Sequence, residues 1–158
     1  MCSSTHGLTA AEVRQLEVHH RDLLQLCLEL EDVAAELDVG RVPPKTQRLA
    51  KTMEPLISAA HRIEEDSLYP DLERHAGSCF GSLMIAQIKA EHRVDHRAAR
   101  ELALTLTAIA GRRSRLGLDI VANMVRGFQE YLRRHVAAEQ MLLFCLLAIE
   151  DETVGSAQ

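Results

Sequence analysis

The chain has 158 residues, 47% hydrophobic but only 3% aromatic and without Trp, enough for one domain with a substantial core. Its formal charge of -5 leaves no domain-wide basic excess to neutralise phosphates, so nucleic acid is not an expected partner. The longest apolar run, MLLFCLLAI at 141–149, is too short to span a bilayer, and the opening MCSSTHGLTA lacks a charged start followed by an apolar stretch; a cytoplasmic protein without membrane contact is expected.

Residues 1–8 read as a flexible N-terminus. Beyond them apolar residues recur at spacings of three and four, the mark of amphipathic helices. The first predicted helix runs from about Thr9 to Val39 on the stripe Leu16, Leu23, Cys27, Leu30 and Leu37, and Thr9 followed by Glu12 reads as a capping box. GRVPP at 40–44 ends it with a glycine and two prolines. The second helix is expected from about Pro44 to Arg74, with a kink at Pro55, and HAGSCFGS at 75–82 supplies the next turn. The third spans about Leu83 to Ala110 and ends at GRRSRLG, whose basic residues read as a solvated turn. The fourth spans Leu118 to Glu150 and leaves 151–158 as a flexible tail. Four long helices with short connections predict an all-α, up-down-up-down antiparallel four-helix bundle over 9–150. Cys2, Cys27, Cys79 and Cys145 share no CxxC spacing and read as reduced thiols, not as a disulfide frame or a zinc site.

In an antiparallel hairpin two residues lie at one height when the turn falls midway between them. The midpoint of His20 and His61 falls between Gly40 and Arg41, that of His61 and His92 between Ala76 and Gly77, and that of His92 and His135 between Arg113 and Ser114. Each lands in a predicted turn, so four histidines, one per helix, are expected at one level. All four lie on apolar stripes: His20 with Leu16, Leu23 and Leu24, His61 with Ile57 and Leu68, His92 with Ile85 and Ile88, His135 with Phe128, Leu132, Leu142 and Leu143. His19, by contrast, is flanked by Gln15 and Asp22. His6, His19 and His75 are assigned to the terminus, a polar face and a turn.

Two carboxylates join this level. Glu65 follows His61 by four and Glu139 follows His135 by four, which stacks each pair on one helix face. A coarse internal repeat is visible too, HHR at 19–21 then HxxxE from His61, echoed by EHR at 91–93 then HxxxE from His135. A single core histidine satisfied by its neighbours is ordinary; four at one height with two acids would be badly destabilising as free groups and make sense as ligands. Imidazoles and carboxylates without thiolate suit iron, manganese or zinc. Six ligands exceed what tetrahedral zinc needs and offer too few oxygens for calcium, so two ions bridged by the carboxylates are expected, with the acids and an oxo or hydroxo bridge offsetting much of their charge.

His20, then HRIEE with His61 and Glu65, EHRVDH with His92, and HVAAE with His135 and Glu139, resembles the hemerythrin-like family of HHE cation-binding domains over about 9–149. The resemblance implies a non-haem di-iron centre, two iron ions with an oxo or hydroxo bridge, that meets dioxygen, peroxide or nitric oxide. In that family the second motif ends in a leucine-aromatic-proline run, with the proline six residues after the ligand glutamate. Pro70 is six after Glu64, whereas HxxxE points to Glu65; Glu65 is favoured and Glu64 is its competitor. His96 follows His92 by four, as in the HxxxH of the oxygen carriers, and stands as a fifth histidine that binds metal or supports the site. The carriers' last motif has an aspartate five residues after its histidine; that position here is Gln140.

Glu91 and Asp95, beside His92, read as solvated groups or as partners orienting its ring. Tyr69 and Tyr131 lie one turn from Glu65 and His135; core packing with a bonded hydroxyl is weighed against hydrogen bonding to bound oxygen or ligation of ferric iron. Three functional classes compete: an oxygen-binding or sensing module, a redox-defence enzyme with weak peroxide decomposition, and a structural or zinc-binding bundle. No output segment is visible, which favours a stand-alone iron protein, monomer or homodimer, whose partners are small molecules.

Overall fold

Thr9 starts the first helix through a closed capping box: its hydroxyl accepts the Glu12 N–H at 3.2 Å, and the Glu12 carboxylate accepts the Thr9 N–H at 2.8 Å. In the computed structural model, which describes residues 7–76 and 79–155, five α-helices follow one another: α1 (Ala10–Asp38), α2 (Lys45–Ile63), α3 (Tyr69–Ala76), α4 (Cys79–Ala110) and α5 (Leu118–Gly155). A π-helical turn, Glu64–Leu68, joins α2 to α3 without a break, so these three pieces form one rod and the described residues form a bundle of four. Helix α2 runs on through Pro55. No helix among the described residues is long and apolar enough to cross a membrane.

Surface ion pairs show that neighbouring helices run antiparallel. Asp38 pairs with Arg126 and Glu31 with Arg133 between α1 and α5, and Glu29 pairs with Arg48 and Asp32 with Lys45 between α1 and α2; in both sets one number falls as the other rises. Exposed pairs of this kind contribute about 0–1 kcal/mol each, so they mark the register more than they hold it. The up-down-up-down bundle expected from the sequence is the fold observed.

Two boundaries differ from the periodicity. Helix α4 begins at Cys79, ahead of Leu83, because a glycine in a helix costs only about 1 kcal/mol relative to alanine, too little for Gly81 to stop a long helix. Helix α5 continues past Glu150 to Gly155. Residues 77–78, at the centre of the predicted 75–82 turn, lie outside the described residues, as do Cys2, His6 and most of the N-terminal segment.

The core comes in two pieces. One cluster gathers Leu23, Leu30, Met53, Ile57, Leu106, Val125 and Leu132, the other Leu16, Leu68, Tyr69, Ile85, Leu143 and Leu146. Each of the four rods passes from one cluster to the other across a histidine: His20 lies between Leu16 and Leu23, His61 between Ile57 and Leu68, His92 between Ile85 and Ala99, and His135 between Leu132 and Leu143.

The π turn deserves its physical reason. Pro70 has no N–H to give the Asp66 carbonyl, and in a regular α-helix its ring would press on that carbonyl. The widened turn, closed by the Tyr69 N–H on the Glu64 carbonyl, sits where that clash would fall and inserts one extra residue. Glu64, Leu68 and Tyr69 are consequently all fully buried.

Helices α1 and α4 both end in Schellman motifs, with Arg41 N–H on Glu36 O and Gly40 N–H on Leu37 O in the first, and Arg113 N–H on Ala108 O and Arg112 N–H on Ile109 O in the second. The left-handed position is Gly40 (φ 77) in one and Arg112 (φ 55) in the other. Denaturant melts should show Gly40→Ala losing about 1 kcal/mol, although no atom lies near its added methyl, and Arg112→Gly gaining about 0.5 kcal/mol.

Candidate metal centre

Between the two apolar clusters lies a layer of buried polar side chains: His20, His61, Glu64, His92, Asp95, His135 and Glu139. Helix periodicity delivers them, since each follows or precedes apolar residues by three or four on its own rod. The imidazoles pack tightly. His61 and His92 stack at 3.7 Å between centroids and 3° between planes, and His135 stands edge-on to both at 5.6 and 5.2 Å.

The carboxylates sit among these rings. Glu64 lies 3.5 Å from Nε2 of both His20 and His92, through different oxygens. Glu139 lies 3.6 Å from Nε2 of His20, 3.6 Å from that of His92 and 3.4 Å from that of His135. At these separations the contacts are ion pairs without hydrogen bonds. Both Glu64 oxygens, both His20 nitrogens, Nε2 of His61 and His135, Oε2 of Glu139 and both Asp95 oxygens have no hydrogen-bonding partner in the protein. Each such buried group costs about 1–3 kcal/mol if left so.

A shared cation would remove that cost for the histidines, Glu64 and Glu139, though not for Asp95. Donors binding one ion at about 2.0–2.2 Å stand roughly 3–3.5 Å from each other, close to the separations observed. Two groups of donor atoms, each within 4.8 Å of one another, meet this condition among the described residues: His61, Glu64, His92 and His135, and His20, Glu64 and Glu139. Glu64 belongs to both. The residues present therefore fit bound metal cations.

The electrostatics of the metal-free chain agree. Burial pushes the Glu64 carboxyl up to about 7, with the neighbouring Glu139 charge adding to it and the His20 contact only partly opposing it. Burial acts the same way on Glu139, but His135, His20 and His92 outweigh it and hold that carboxyl well below the usual range. His20 is pulled down by burial yet raised overall to about 9 by Glu139 and Glu64. His92 and His135, also opposed by burial, are raised by their carboxylate neighbours. His61 is the exception: burial, then the His92, His135 and His96 charges, push it down to about 2, which keeps it the neutral imidazole that a metal requires. Cations entering here would displace protons that the layer otherwise holds.

Around the layer stands a ring of supporting contacts. Glu65, 43% exposed, takes the Nδ1 side of His92 at 2.7 Å. His96, half-buried, places Nε2 3.2 Å from His61 Nδ1 and Nδ1 3.4 Å from Ser58 Oγ. Tyr69 donates its hydroxyl to Glu139 Oε1 and lies 2.9 Å from His92 Nε2, and its buried phenol is held far above the usual range by burial and by Glu139. Tyr131, 39% exposed, lies 6.5 Å from the His135 ring. Asp95 is buried 3.7 Å from His61 Nε2 and 4.0 Å from His135 Nδ1, its carboxyl raised mainly by burial.

The structure thus brings His20, His61, His92, His135 and Glu139 together as the midpoints and spacings require. It turns Glu64 inward instead of Glu65: Glu64 is fully buried between His20 and His92, while Glu65 lies on the outer, Nδ1 side of His92. His96 lies beside His61, outside both donor groups. Asp95 is more central than a solvated neighbour of His92; its place on the stripe Ile85, Ile88, His92, Asp95, Ala99 is the signal for it. His19 is half-buried, and His75 gives its Nδ1 to the Asp71 carbonyl at 2.9 Å.

A family model, the hemerythrin HHE cation-binding domain, matches residues 11–152. No curated protein and no solved structure matches.

A divalent cation that binds only the folded chain should raise its melting temperature, by the equivalent of about 2.7 kcal/mol at a free concentration a hundred times its dissociation constant. Scanning calorimetry of metal-free and reloaded protein checks this. His20→Ala should diminish the increment and His19→Ala should keep it in full.

Proposed function

The chain belongs to the hemerythrin HHE cation-binding domain family, and on that premise we propose that it is a non-haem di-iron protein that handles dioxygen, peroxide or nitric oxide, with redox turnover rather than reversible carriage as its chemistry. The position of Glu64 carries the reading. Its two oxygens face opposite histidines, His20 and His92, and it alone belongs to both donor groups, so it would be the residue shared by two cations. His61, His92 and His135 would hold one of them, His20 and Glu139 the other. Iron pairs bound to such a set supply Lewis acidity and electrons to small oxygen and nitrogen species.

The rest of the site is the work of this chain's own side chains. Glu65 accepts the Nδ1 proton of His92, which leaves Nε2 of that ring facing inward. His96 does the same for His61 from the Ser58 side. With its nitrogens engaged in this way, His96 adds no ligand, and more of the coordination sphere is left for a reacting molecule; this favours turnover. Tyr69 keeps its proton and offers it to Glu139, an oriented donor within the dry layer. Leu16, Leu68, Ile85 and Leu143 close the layer from one side and limit bulk water. A small molecule reaches it through a cavity of about 230 Å³ between α4 and α5 that ends on His135 and Glu139.

Iron reconstitution followed by elemental analysis should give close to two irons per chain, with the near-ultraviolet absorption of ferric iron that zinc lacks. One tightly held zinc and no iron uptake would refute the reading. Glu64→Gln should lose at least one iron, while Glu65→Gln keeps both with a shifted spectrum. Peroxide decomposition should vanish in His135→Ala and persist in His96→Ala; a stable, reversible oxygen adduct that requires His96 would return the protein to the carrier class.

A further inference from the structure

The crevice between helices α4 and α5 does not end at the metal layer. A second cavity, of about 260 Å³, lies further along the same two helices, and Ile88 lines both. From Glu91 back to Gly81 the crevice follows about 15 Å of α4 at ~1.5 Å per residue. The two cavities together reach the size of small-molecule sites, roughly 300–1,000 Å³.

Polarity along the crevice is one-sided. Glu91, Tyr131 and Arg134 gather at the end that opens on His135 and Glu139. The far end is walled by Leu72, Met84, Ile85, Leu142, Leu146 and Ile149. His75 also borders it, but its Nδ1 is already engaged by the Asp71 carbonyl. Dioxygen or nitric oxide alone would need none of this second cavity. A molecule with one polar end and an apolar body uses all of it: the polar end meets the metal layer beside Arg134, which also pairs with exposed Glu130 at 3.3 Å, and the body covers side chains that are otherwise left partly in water, Met84 at 42% and Ile149 at 43% exposure.

We propose that the α4–α5 crevice is a binding site for an alkyl chain bearing a single oxygen-donor head, the chemistry of an alkyl carboxylate, with the head at His135 and Glu139 and the chain along Ile88, Ile85, Leu142 and Leu146. The head's place rests on the metal-centre reading above; the chain's place rests on the apolar cavity alone.

The test titrates iron-loaded protein with acetate, butanoate, hexanoate and octanoate, following binding by calorimetry and by the near-ultraviolet band. Affinity should rise about fourfold per added methylene, the equivalent of ~0.8 kcal/mol per buried CH₂. Met84→Gln and Leu142→Gln, at partly exposed positions, should flatten that dependence and leave acetate affinity and the helical circular dichroism unchanged. Equal affinity for acetate and octanoate, or an unchanged slope in both variants, overturns the proposal. Should the chain take up no iron, the same series on the metal-free protein separates the two claims: a chain-length dependence lost in Leu142→Gln keeps the crevice site while the metal reading fails, and its absence removes the crevice site as well. Self-association abolished by Met84→Gln and indifferent to octanoate would assign the crevice to a second copy of the chain and overturn the proposal too.

Discussion

Four imidazoles and three carboxylates share one buried layer of this bundle, and many of their polar atoms have no hydrogen-bonding partner in the protein. Buried donors and acceptors are normally paired in native proteins, so an orphaned set of this size is a constraint on everything around it. Protons can only redistribute the charge: Glu139 stays ionised because three histidines face it, Glu64 is driven towards protonation, and His61 is driven towards neutrality. Cations would satisfy the donors of His20, His61, Glu64, His92, His135 and Glu139 together. The two apolar clusters on either side then act as walls, excluding the water that would otherwise weaken each of these electrostatic interactions.

The π turn is the local device on which this layer depends. It lets one rod bury Glu64, Leu68 and Tyr69 in succession and still accommodate Pro70, which a regular helix would not do without a clash. Its consequence is a division of labour between adjacent acids. Glu64 faces His20 and His92 from inside, and Glu65 grips the outer nitrogen of His92. Rings held at both nitrogens have fixed tautomers and fixed planes, and that preorganisation matters because a metal site bound by loosely held ligands loses affinity as well as selectivity. His96, itself in contact with Ser58, holds His61 at Nδ1 only.

Much of this was legible in the chain. The capping box at Thr9, the helix periods and the histidine midpoints are consequences of fixed helical rise and antiparallel geometry, so simple counting places His20, His61, His92 and His135 at one height. The choice between Glu64 and Glu65 was harder because two rules disagreed: HxxxE assumes an unbroken 3.6-residue period, while the proline spacing at Pro70 points one residue earlier. The period fails there because the turn is wider, and the proline is the residue that marks it. Asp95 is harder to read from the sequence because charge next to a histidine usually faces solvent; its three-residue spacing from His92, on a largely buried stripe, outweighs that expectation. The early start of α4 and late end of α5 have no sharp stop signal, only a glycine that a long helix tolerates and a polar sequence that can still be helical.

Anomalous diffraction at the iron edge from crystals of the iron-loaded chain bears most directly on the central claim, that Glu64 bridges two ions held by this layer. The account expects two anomalous peaks on opposite sides of the Glu64 carboxylate, one beside His61, His92 and His135 and the other beside His20 and Glu139. A single peak, or a pair bridged by Glu65 with Glu64 turned away, would contradict it.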